Sequence, residues 1–219
     1  MDLGLRAKNV IVTGGSQGIG RTTAVTFARE GANIAICARN LDQLEDAARE
    51  LRQTGVKVHA SQCDAADAND LDRFLDEARS ALGGVDILVN NVSAFGMADD
   101  ETAWQASFNV DVMSAVRAVW KVVPWMKERG GGAIVHVSSR AGLEGGWAPA
   151  YAAIKAAMIS HSKSLAVSLA PMKIRVNAVT PGSIEFPGGR WERVKNADRQ
   201  RYDAVLSKIP WNRMGTPEE

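Results

Sequence analysis

The feature that most constrains the fold of this chain is a regular alternation between short apolar runs and longer amphipathic stretches. Six runs are rich in β-branched residues and almost continuously apolar, which is typical of parallel strands covered on both faces. The predicted strands are Asn9–Thr13, Asn33–Ala38, Val56–Gln62, Asp86–Asn90, Ala133–Ser138 and Ile174–Val179. The five stretches between them repeat apolar residues at helical spacing. The predicted helices are Gly18–Glu30, Leu41–Gln53, Asn69–Leu82, Glu101–Lys127 and Ala150–Ala170.

Five repeats of strand and helix predict an α/β fold with a doubly wound parallel sheet and right-handed crossovers. No internal repeat or linker divides the chain, so we expect a single domain over residues 1–219. Pro124 lies within the fourth predicted helix and is expected to kink it or to mark its last turns. Thr180–Gly189 is predicted to be a loop, because it is rich in proline and glycine. No seventh strand is predicted between this loop and Glu219.

Composition excludes several classes of function. The 26 Lys and Arg residues are balanced by 25 Asp and Glu residues, so the chain lacks the basic character of a nucleic-acid-binding protein. Cys37 and Cys63 have no clustered histidines beside them, which argues against a metal site and favours buried free thiols. No apolar run has the length of a membrane span, and the N-terminus has no signal-peptide core. We therefore expect a cytoplasmic protein with no metal, no nucleic-acid partner and no membrane contact.

A glycine-rich loop follows the first predicted strand and opens the first helix. Its glycines permit a tight turn and a close approach to a phosphate, and the helix N-terminus offers free N–H groups and a positive dipole. Ligands of open α/β sheets bind beyond the carboxyl ends of the strands, where this loop lies. The loop therefore predicts a dinucleotide site on a sheet of the Rossmann type. The predicted binding residues are Gly14, Ser16, Gln17, Gly18, Ile19 and Gly20.

The end of the second strand indicates which dinucleotide is preferred. An acidic residue at this point ordinarily holds the ribose hydroxyls of NAD, but the sequence there reads Ala38-Arg39-Asn40. A guanidinium can bind a 2′-phosphate that a carboxylate would repel. Arg39 and Asn40 are therefore predicted to bind the adenosine end of the cofactor, with NADP favoured over NAD. Asp64, after the third strand, either accepts a hydrogen bond from the adenine amino group or caps a turn.

A tyrosine and a lysine four residues apart provide a candidate for proton transfer. Tyr151 and Lys155 lie on one face of the last predicted helix. The ammonium stabilises the tyrosinate form of the phenol, so the pair can donate or accept the proton of an alcohol while a hydride moves. Ser138 and Ser139 end the fifth strand at the ligand-binding edge. Neighbouring strand residues point to opposite sides, so one of the two serines is expected to face the substrate oxygen.

Taken in order, these motifs resemble the short-chain dehydrogenase/reductase family, and within it the branch of 3-oxoacyl-acyl-carrier-protein reductases. The glycine loop, an Asn-Asn pair after strand four, the strand-five serine, Tyr-x-x-x-Lys and a Pro-Gly after strand six cover nearly the whole chain. The resemblance implies that Tyr151 is the general acid/base, that Lys155 supports the phenol and holds the nicotinamide ribose, and that Ser139 polarises the carbonyl. The further cofactor contacts that it implies are Asn90, Pro181, Gly182 and Ile184.

The chain departs from the family pattern at several points. The family's Asn-Asn-Ala-Gly is Asn90-Asn91-Val92-Ser93 here. Ser139 stands three before Gly142 as in the family, whereas Ser138 has the usual spacing to Tyr151, so the choice of serine stays open. The family's catalytic helix asparagine, which anchors a relay water, aligns with Asp111, and Asn109 is on the wrong face. We expect the Asp111 carboxylate to lie a water's distance from Lys155. Relatives continue beyond Glu219 through a further helix and a seventh strand, so the domain is expected to be C-terminally short.

The leading interpretation is an NADPH-preferring reductase of a ketone or a 3-oxoacyl thioester. The small-molecule substrate is either free or carried on acyl carrier protein or coenzyme A, which the basic run after Gly189 would meet. The alternatives are a secondary-alcohol or sugar-alcohol dehydrogenase and a non-catalytic dinucleotide sensor. The resemblance also implies a homodimer through the fourth and fifth predicted helices, and a tetramer if a C-terminal tail is present. Apolar residues predicted at that interface are Val116, Val119, Trp120, Val123, Met158 and Ile159.

Overall fold

A six-stranded, all-parallel sheet with the strand order β3-β2-β1-β4-β5-β6 organises the fold. The computed structural model describes residues 2–219. The strand order reverses between β1 and β4, which creates the crevice where ligands of doubly wound sheets bind. The predicted Rossmann-type α/β fold is thus confirmed. The strands are β1 (Asn9–Thr13), β2 (Asn33–Ala38), β3 (Val58–Gln62), β4 (Ile87–Asn90), β5 (Gly132–Val137) and β6 (Ile174–Val179).

Helices alternate with the strands as the apolar pattern predicts. Two short 3₁₀ turns, Arg140–Gly142 and Ala170–Met172, flank the longest helix. The helices are α1 (Gly18–Arg29), α2 (Leu41–Arg52), α3 (Ala68–Leu82), α4 (Glu101–Ser107), α5 (Ser114–Glu128), α6 (Pro149–Leu169), α7 (Arg190–Ala197) and α8 (Arg199–Leu206).

The two faces of the sheet bury separate apolar clusters. In β1, Val10 and Val12 pack toward α1 and α2, while Ile11 packs toward α3 and α5 on the other face. This alternation follows from the two-residue period of a strand. Cys37 and Cys63 are free thiols buried in the cluster that contains Ile11, and buried free thiols are what the sequence predicted. Both faces of the sheet are therefore apolar, which is why the strand sequences read as nearly continuous apolar runs.

The fourth predicted helix, Glu101–Lys127, is not one continuous helix. A π-helical segment, Phe108–Met113, separates α4 from α5. Such segments are widened turns that are frequent at functional sites, and no local sequence pattern marked this one. Pro124 lies in the last turns of α5, as one reading of the sequence predicted. The prediction that Val119 and Met158 lie at the dimer surface is wrong, because both side chains are buried within the protein.

Contacts divide the chain into two compact units, the first ending at Thr180 and the second formed by Pro181–Glu219. The second unit contains α7 and α8, which the sequence analysis did not predict as elements. They pack around a small apolar cluster of Trp191, Tyr202 and Met214. These helices are short and mostly polar or basic, so their few apolar residues do not form a recognisable helical pattern in the sequence.

Across residues 2–219, none of the helices combines the length and the apolar character needed to cross a lipid bilayer.

Candidate active site

The glycine loop between β1 and α1 has the geometry of a phosphate cradle. Gly14 and Gly18 have φ angles of +68° and +53°, a region that residues with a Cβ atom rarely adopt. A Cβ atom on Gly20 would lie 2.2 Å from the carbonyl oxygen of Gly14, so only glycine fits there. Gln17 precedes α1 and makes no side-chain cap to its first N–H groups. These N–H groups are left to bind an anion, and the loop fits the pyrophosphate of a dinucleotide.

Asn91 holds this loop, a role that the sequence analysis missed. Its side-chain Nδ2 donates to the carbonyl oxygens of Thr13 and Gly14 at 3.1 and 3.0 Å, and its backbone N–H donates to Thr13 Oγ1. The neighbouring Asn90 is buried, and its amide nitrogen lies 3.2 Å from His136 Nδ1. The tandem asparagines after β4 were the signal in the sequence, but only the first of them was selected.

The residues predicted to bind the adenosine end lie where β2 and β3 end. Arg39 is exposed, and its guanidinium makes no hydrogen bond or ion pair within the described part of the chain. Asn40 caps α2, with its Oδ1 accepting from the backbone N–H of Gln43. Asp64 Oδ1 accepts from the N–H of Ala66, which is the turn-capping alternative. Of these three side chains, only that of Arg39 makes no hydrogen bond within the described residues, so it is available to a ligand.

Lys155 is buried at the start of α6 and its ammonium has two partners. Its Nζ lies 2.9 Å from Asp111 Oδ1 and donates to the carbonyl oxygen of Val137 at 3.2 Å. The Lys155 and Asp111 side chains are only 3% and 1% exposed. The expectation that Asp111 stands a water's distance from Lys155 is therefore wrong, because the two form a direct ion pair. A buried carboxylate and a buried ammonium satisfy each other best in direct contact.

The lysine also accompanies the phenol, as the four-residue spacing predicts. Lys155 Nζ lies 5.7 Å from the centroid of the Tyr151 ring. Tyr151 is half-buried, and its hydroxyl makes no hydrogen bond with the described residues. The hydroxyl is thus available to a substrate while a positive charge lies close to its ring.

The two serines at the end of β5 have different surroundings. The Ser138 hydroxyl is buried and donates to the carbonyl oxygen of Lys155 at 2.7 Å. The Ser139 Oγ accepts from the N–H of Ala141 at 3.2 Å, and its own proton has no acceptor among the described residues. Ser138 therefore holds β5 to α6, whereas Ser139 keeps a donor for a ligand.

The loop after β4 contacts the Tyr151 ring and the Asp111 carboxylate that pairs with Lys155. Asp111 Oδ2 accepts from the N–H of Ala94 at 2.8 Å. The next residue, Phe95, stacks its ring on that of Tyr151 with 5.9 Å between centroids and 16° between planes. Sequence reasoning did not select Phe95, although Ser93 two positions earlier marked this loop as a departure from the family.

A pair of histidines lies behind the lysine, between β5 and α6. The rings of His136 and His161 are 5.4 Å apart. Burial, together with the nearby His161 and Lys155, lowers the pKa of His136 to about 4. Burial also lowers the pKa of His161. Both rings are therefore neutral at physiological pH.

Pro181, Gly182 and Ile184 belong to the second unit of the chain. Their contact with a nicotinamide stays a prediction, as do the cofactor contacts of Ser16 and Ile19 in the glycine loop. The basic run contributes mainly to local ion pairs: Lys195 Nζ lies 3.0 Å from Glu185 Oε1, and Arg199 pairs with Asp203.

Comparison with known proteins agrees with this geometry. A family profile described as short chain dehydrogenase matches residues 8–196. The 3-oxoacyl-[acyl-carrier-protein] reductase of Thermotoga maritima is 33% identical over 220 residues, which cover 98% of this chain and 87% of that protein. An NAD⁺-bound xylitol dehydrogenase structure is 27% identical, with a TM-score of 0.90 over 98% of this chain and 89% of that one. The L-sorbose reductase of Gluconobacter frateurii, complexed with NADPH and L-sorbose, is 36% identical, with a TM-score of 0.88 over 100% of this chain and 88% of that one.

The order of motifs, the strand order and the match over most of the chain agree with one another. The chain belongs to the short-chain dehydrogenase/reductase family and is an NAD(P)-dependent oxidoreductase that acts on CH–OH groups.

Proposed function

We propose that this protein is an NADPH-preferring reductase that converts a ketone or a 3-oxoacyl thioester to the hydroxy product. The observation that carries the proposal is the arrangement at the start of α6. The Tyr151 hydroxyl is free for a substrate, the Lys155 ammonium lies 5.7 Å from the phenol ring, and the Ser139 hydroxyl keeps its proton for a ligand. A protein that only sensed a dinucleotide would have no use for this proton-transfer set.

In this mechanism the protein holds the carbonyl and supplies its proton. The Ser139 hydroxyl donates a hydrogen bond to the carbonyl oxygen and polarises it. Tyr151 gives its proton to the same oxygen, and the positive charge of Lys155 stabilises the tyrosinate that remains. When bound, the reduced nicotinamide supplies the hydride. The glycine loop and the residues after β2 bind the other end of the cofactor.

Turnover tests the proposal directly. We expect wild-type protein to oxidise NADPH in the presence of ketones, and Tyr151→Phe to lower kcat by about 10³-fold, because the hydroxyl acts in the transition state. The affinity of Tyr151→Phe for NADPH, measured by fluorescence titration, should stay near that of wild type. Lys155→Ala should weaken both turnover and cofactor binding. Full activity in Tyr151→Phe would contradict the mechanism.

The cofactor preference depends on Arg39. Its exposed guanidinium stands beside Ala38, where no carboxylate repels a 2′-phosphate. We expect the double substitution Ala38→Asp with Arg39→Leu to lower kcat/KM for NADPH by about 10²-fold and to raise it for NADH, because a charge-assisted contact is replaced by a ribose acceptor. The measurement is kcat/KM with each cofactor at one ketone concentration. A wild-type preference for NADH would refute the assignment.

A second candidate is a sugar-alcohol or secondary-alcohol dehydrogenase. The similarity to a xylitol dehydrogenase and to an L-sorbose reductase favours this alternative. The similarity to a 3-oxoacyl-[acyl-carrier-protein] reductase favours a thioester substrate. A panel of polyols, simple ketones and 3-oxoacyl thioesters of coenzyme A separates the candidates by the highest kcat/KM. Cofactor binding without turnover of any member would favour the dinucleotide sensor.

A further inference from the structure

Phe95 combines two features that cost free energy. Its φ angle is +52°, which is unfavourable for a side chain of this size and persists only where the surroundings enforce it. Phe95 is also 48% exposed, although aromatic residues favour burial. Strained residues cluster at functional sites, and Phe95 stacks on the ring of Tyr151.

The surroundings that enforce this conformation lead back to the catalytic pair. The N–H of Phe95 donates to Ser93 Oγ at 3.3 Å. The N–H of Ala94 donates to one oxygen of Asp111, whose other oxygen pairs with Lys155. Tyr151, Lys155, Asp111, Ala94 and Phe95 thus form a closed ring of contacts. An asparagine at position 111 has one side-chain oxygen where the aspartate has two, so the two donors can no longer each have an oxygen of their own.

We propose that Phe95 is a specificity-determining residue, held in place by Asp111, and that it selects substrates with a planar apolar ring next to the reacting carbon. The inference rests on the proposed function and narrows its substrate class. Phe95 presents an exposed aromatic wall beside the ring of the tyrosine that transfers the proton. An aryl or cyclic ketone can stack on this wall and cover its apolar surface, whereas an open-chain polyol gains nothing from it. Asp111 is a positioning residue for this wall.

The test compares an aryl methyl ketone with an open-chain methyl ketone of similar length. Phe95→Ala should lower kcat/KM about tenfold for the aryl ketone, as expected for the loss of a stacked ring, and less than threefold for the open-chain ketone. Phe95→Gly should behave like Phe95→Ala, because both remove the ring and glycine also removes the strain. Phe95→Tyr should retain the preference. Phe108→Ala is the matched control, since Phe108 is also 48% exposed. Equal losses for both ketones would overturn the proposal.

A double-mutant cycle tests the role of Asp111. Asp111→Asn changes the chemistry for every substrate, so the readout is the ratio of kcat/KM for the two ketones. If Asp111 holds Phe95, this ratio should fall in Asp111→Asn, and Phe95→Ala should reduce it less in that background than in wild type. Additive effects on the ratio would show that Asp111 does not position the ring.

A measurement without turnover separates failure of this proposal from failure of the proposed function. Hydrogen exchange of the Ala94 amide, followed in the peptide over residues 92–97, should be faster in Asp111→Ala, because the acceptor of this amide is then removed. Unchanged exchange would overturn the role of Asp111 even if the enzyme is active. Faster exchange in a protein that reduces no carbonyl would support the contact and refute only the proposed function.

Discussion

At the scale of single residues, the candidate site depends on which polar groups are already paired. Ser138 donates to a backbone carbonyl and Asn91 donates to the glycine loop, so both hold the framework. Ser139, Tyr151 and Arg39 keep groups that a ligand can bind. Adjacent or similar residues thus have different roles. A donor that is already hydrogen-bonded within the protein cannot also bind a ligand.

This division predicts different effects for the two serines. Ser139→Ala should lower kcat by about 10²-fold with little change in stability, because a donor to the carbonyl oxygen is lost. Ser138→Ala should instead lower the free energy of unfolding by about 1 kcal/mol, because the buried hydrogen bond from its hydroxyl to the carbonyl of Lys155 is lost. Steady-state kinetics and urea unfolding of both variants provide the measurements. The reverse pattern would assign the catalytic role to Ser138.

At the scale of elements, the contact between β5 and α6 supports the site from behind. β5 contributes His136 and α6 contributes His161 and Lys155, and all three lie close together. A neutral imidazole is compatible with the nearby ammonium, whereas an imidazolium is not. This packing therefore depends on the protonation of His136.

The low pKa of His136 predicts a loss of stability in mild acid. Its pKa is about 4 in the folded protein and about 6.5 in an unfolded chain. The unfolded chain therefore binds the extra proton first, and stability falls as the pH drops from about 6.5 toward 4. Between pH 7 and pH 4.5 the contribution of His136 amounts to about 2 kcal/mol. His161 contributes in the same direction.

Urea unfolding at the two pH values tests this expectation. His136→Asn keeps an acceptor near the position of Nδ1 but cannot titrate, so the difference between its unfolding free energies at pH 7 and pH 4.5 should be smaller than in wild type. The difference is informative even if the variant is less stable at both pH values. Carboxylates with lowered pKa values, such as Asp70 and Glu77, lose their contribution mainly below this range. An unchanged difference would contradict the assignment.

At the scale of the whole molecule, exposed apolar side chains bear on the predicted association of two chains. Trp120 on α5 is 67% exposed, and Val167 on α6 is 79% exposed. Val116, Val123 and Ile159 are partly buried, whereas Val119 and Met158 belong to the core. A large exposed aromatic residue on a helix face is typical of an interface. The homodimer stays a prediction, and the surface available for it has fewer apolar residues than the sequence indicated.

We expect a homodimer in solution, with Trp120 at its interface. Trp120→Glu should shift the species found by light scattering at micromolar concentration from dimer to monomer, because a charge replaces a buried ring. Trp211→Glu is the matched control, since Trp211 is 74% exposed in the second unit, and it should leave the dimer intact. A monomeric wild-type protein at that concentration would refute the prediction.

Local patterns in the sequence were enough to predict part of the fold. Apolar periodicity set the strands and the helices around them, which is why the predicted bounds of β1, β2 and β6 agree with the structure. The glycine loop and the tyrosine–lysine spacing are local in the same sense, since each lies on one turn or one helix face. Whether Pro181–Glu219 folds with the rest as one domain stays a prediction.

Only the tertiary structure decided which distant residues meet. Asp111, Lys155 and Ala94 come from three separate segments, and their ion pair and hydrogen bond exist because the fold buries them together. Tertiary contacts also explain three other features that local patterns did not predict. These are the π-helical segment around Asp111, the strained loop at Phe95 and the hydrogen bond from Ser138 to the Lys155 carbonyl. A buried charge or hydroxyl must find a partner wherever the fold offers one, and the nearest partner in space is seldom a neighbour in sequence.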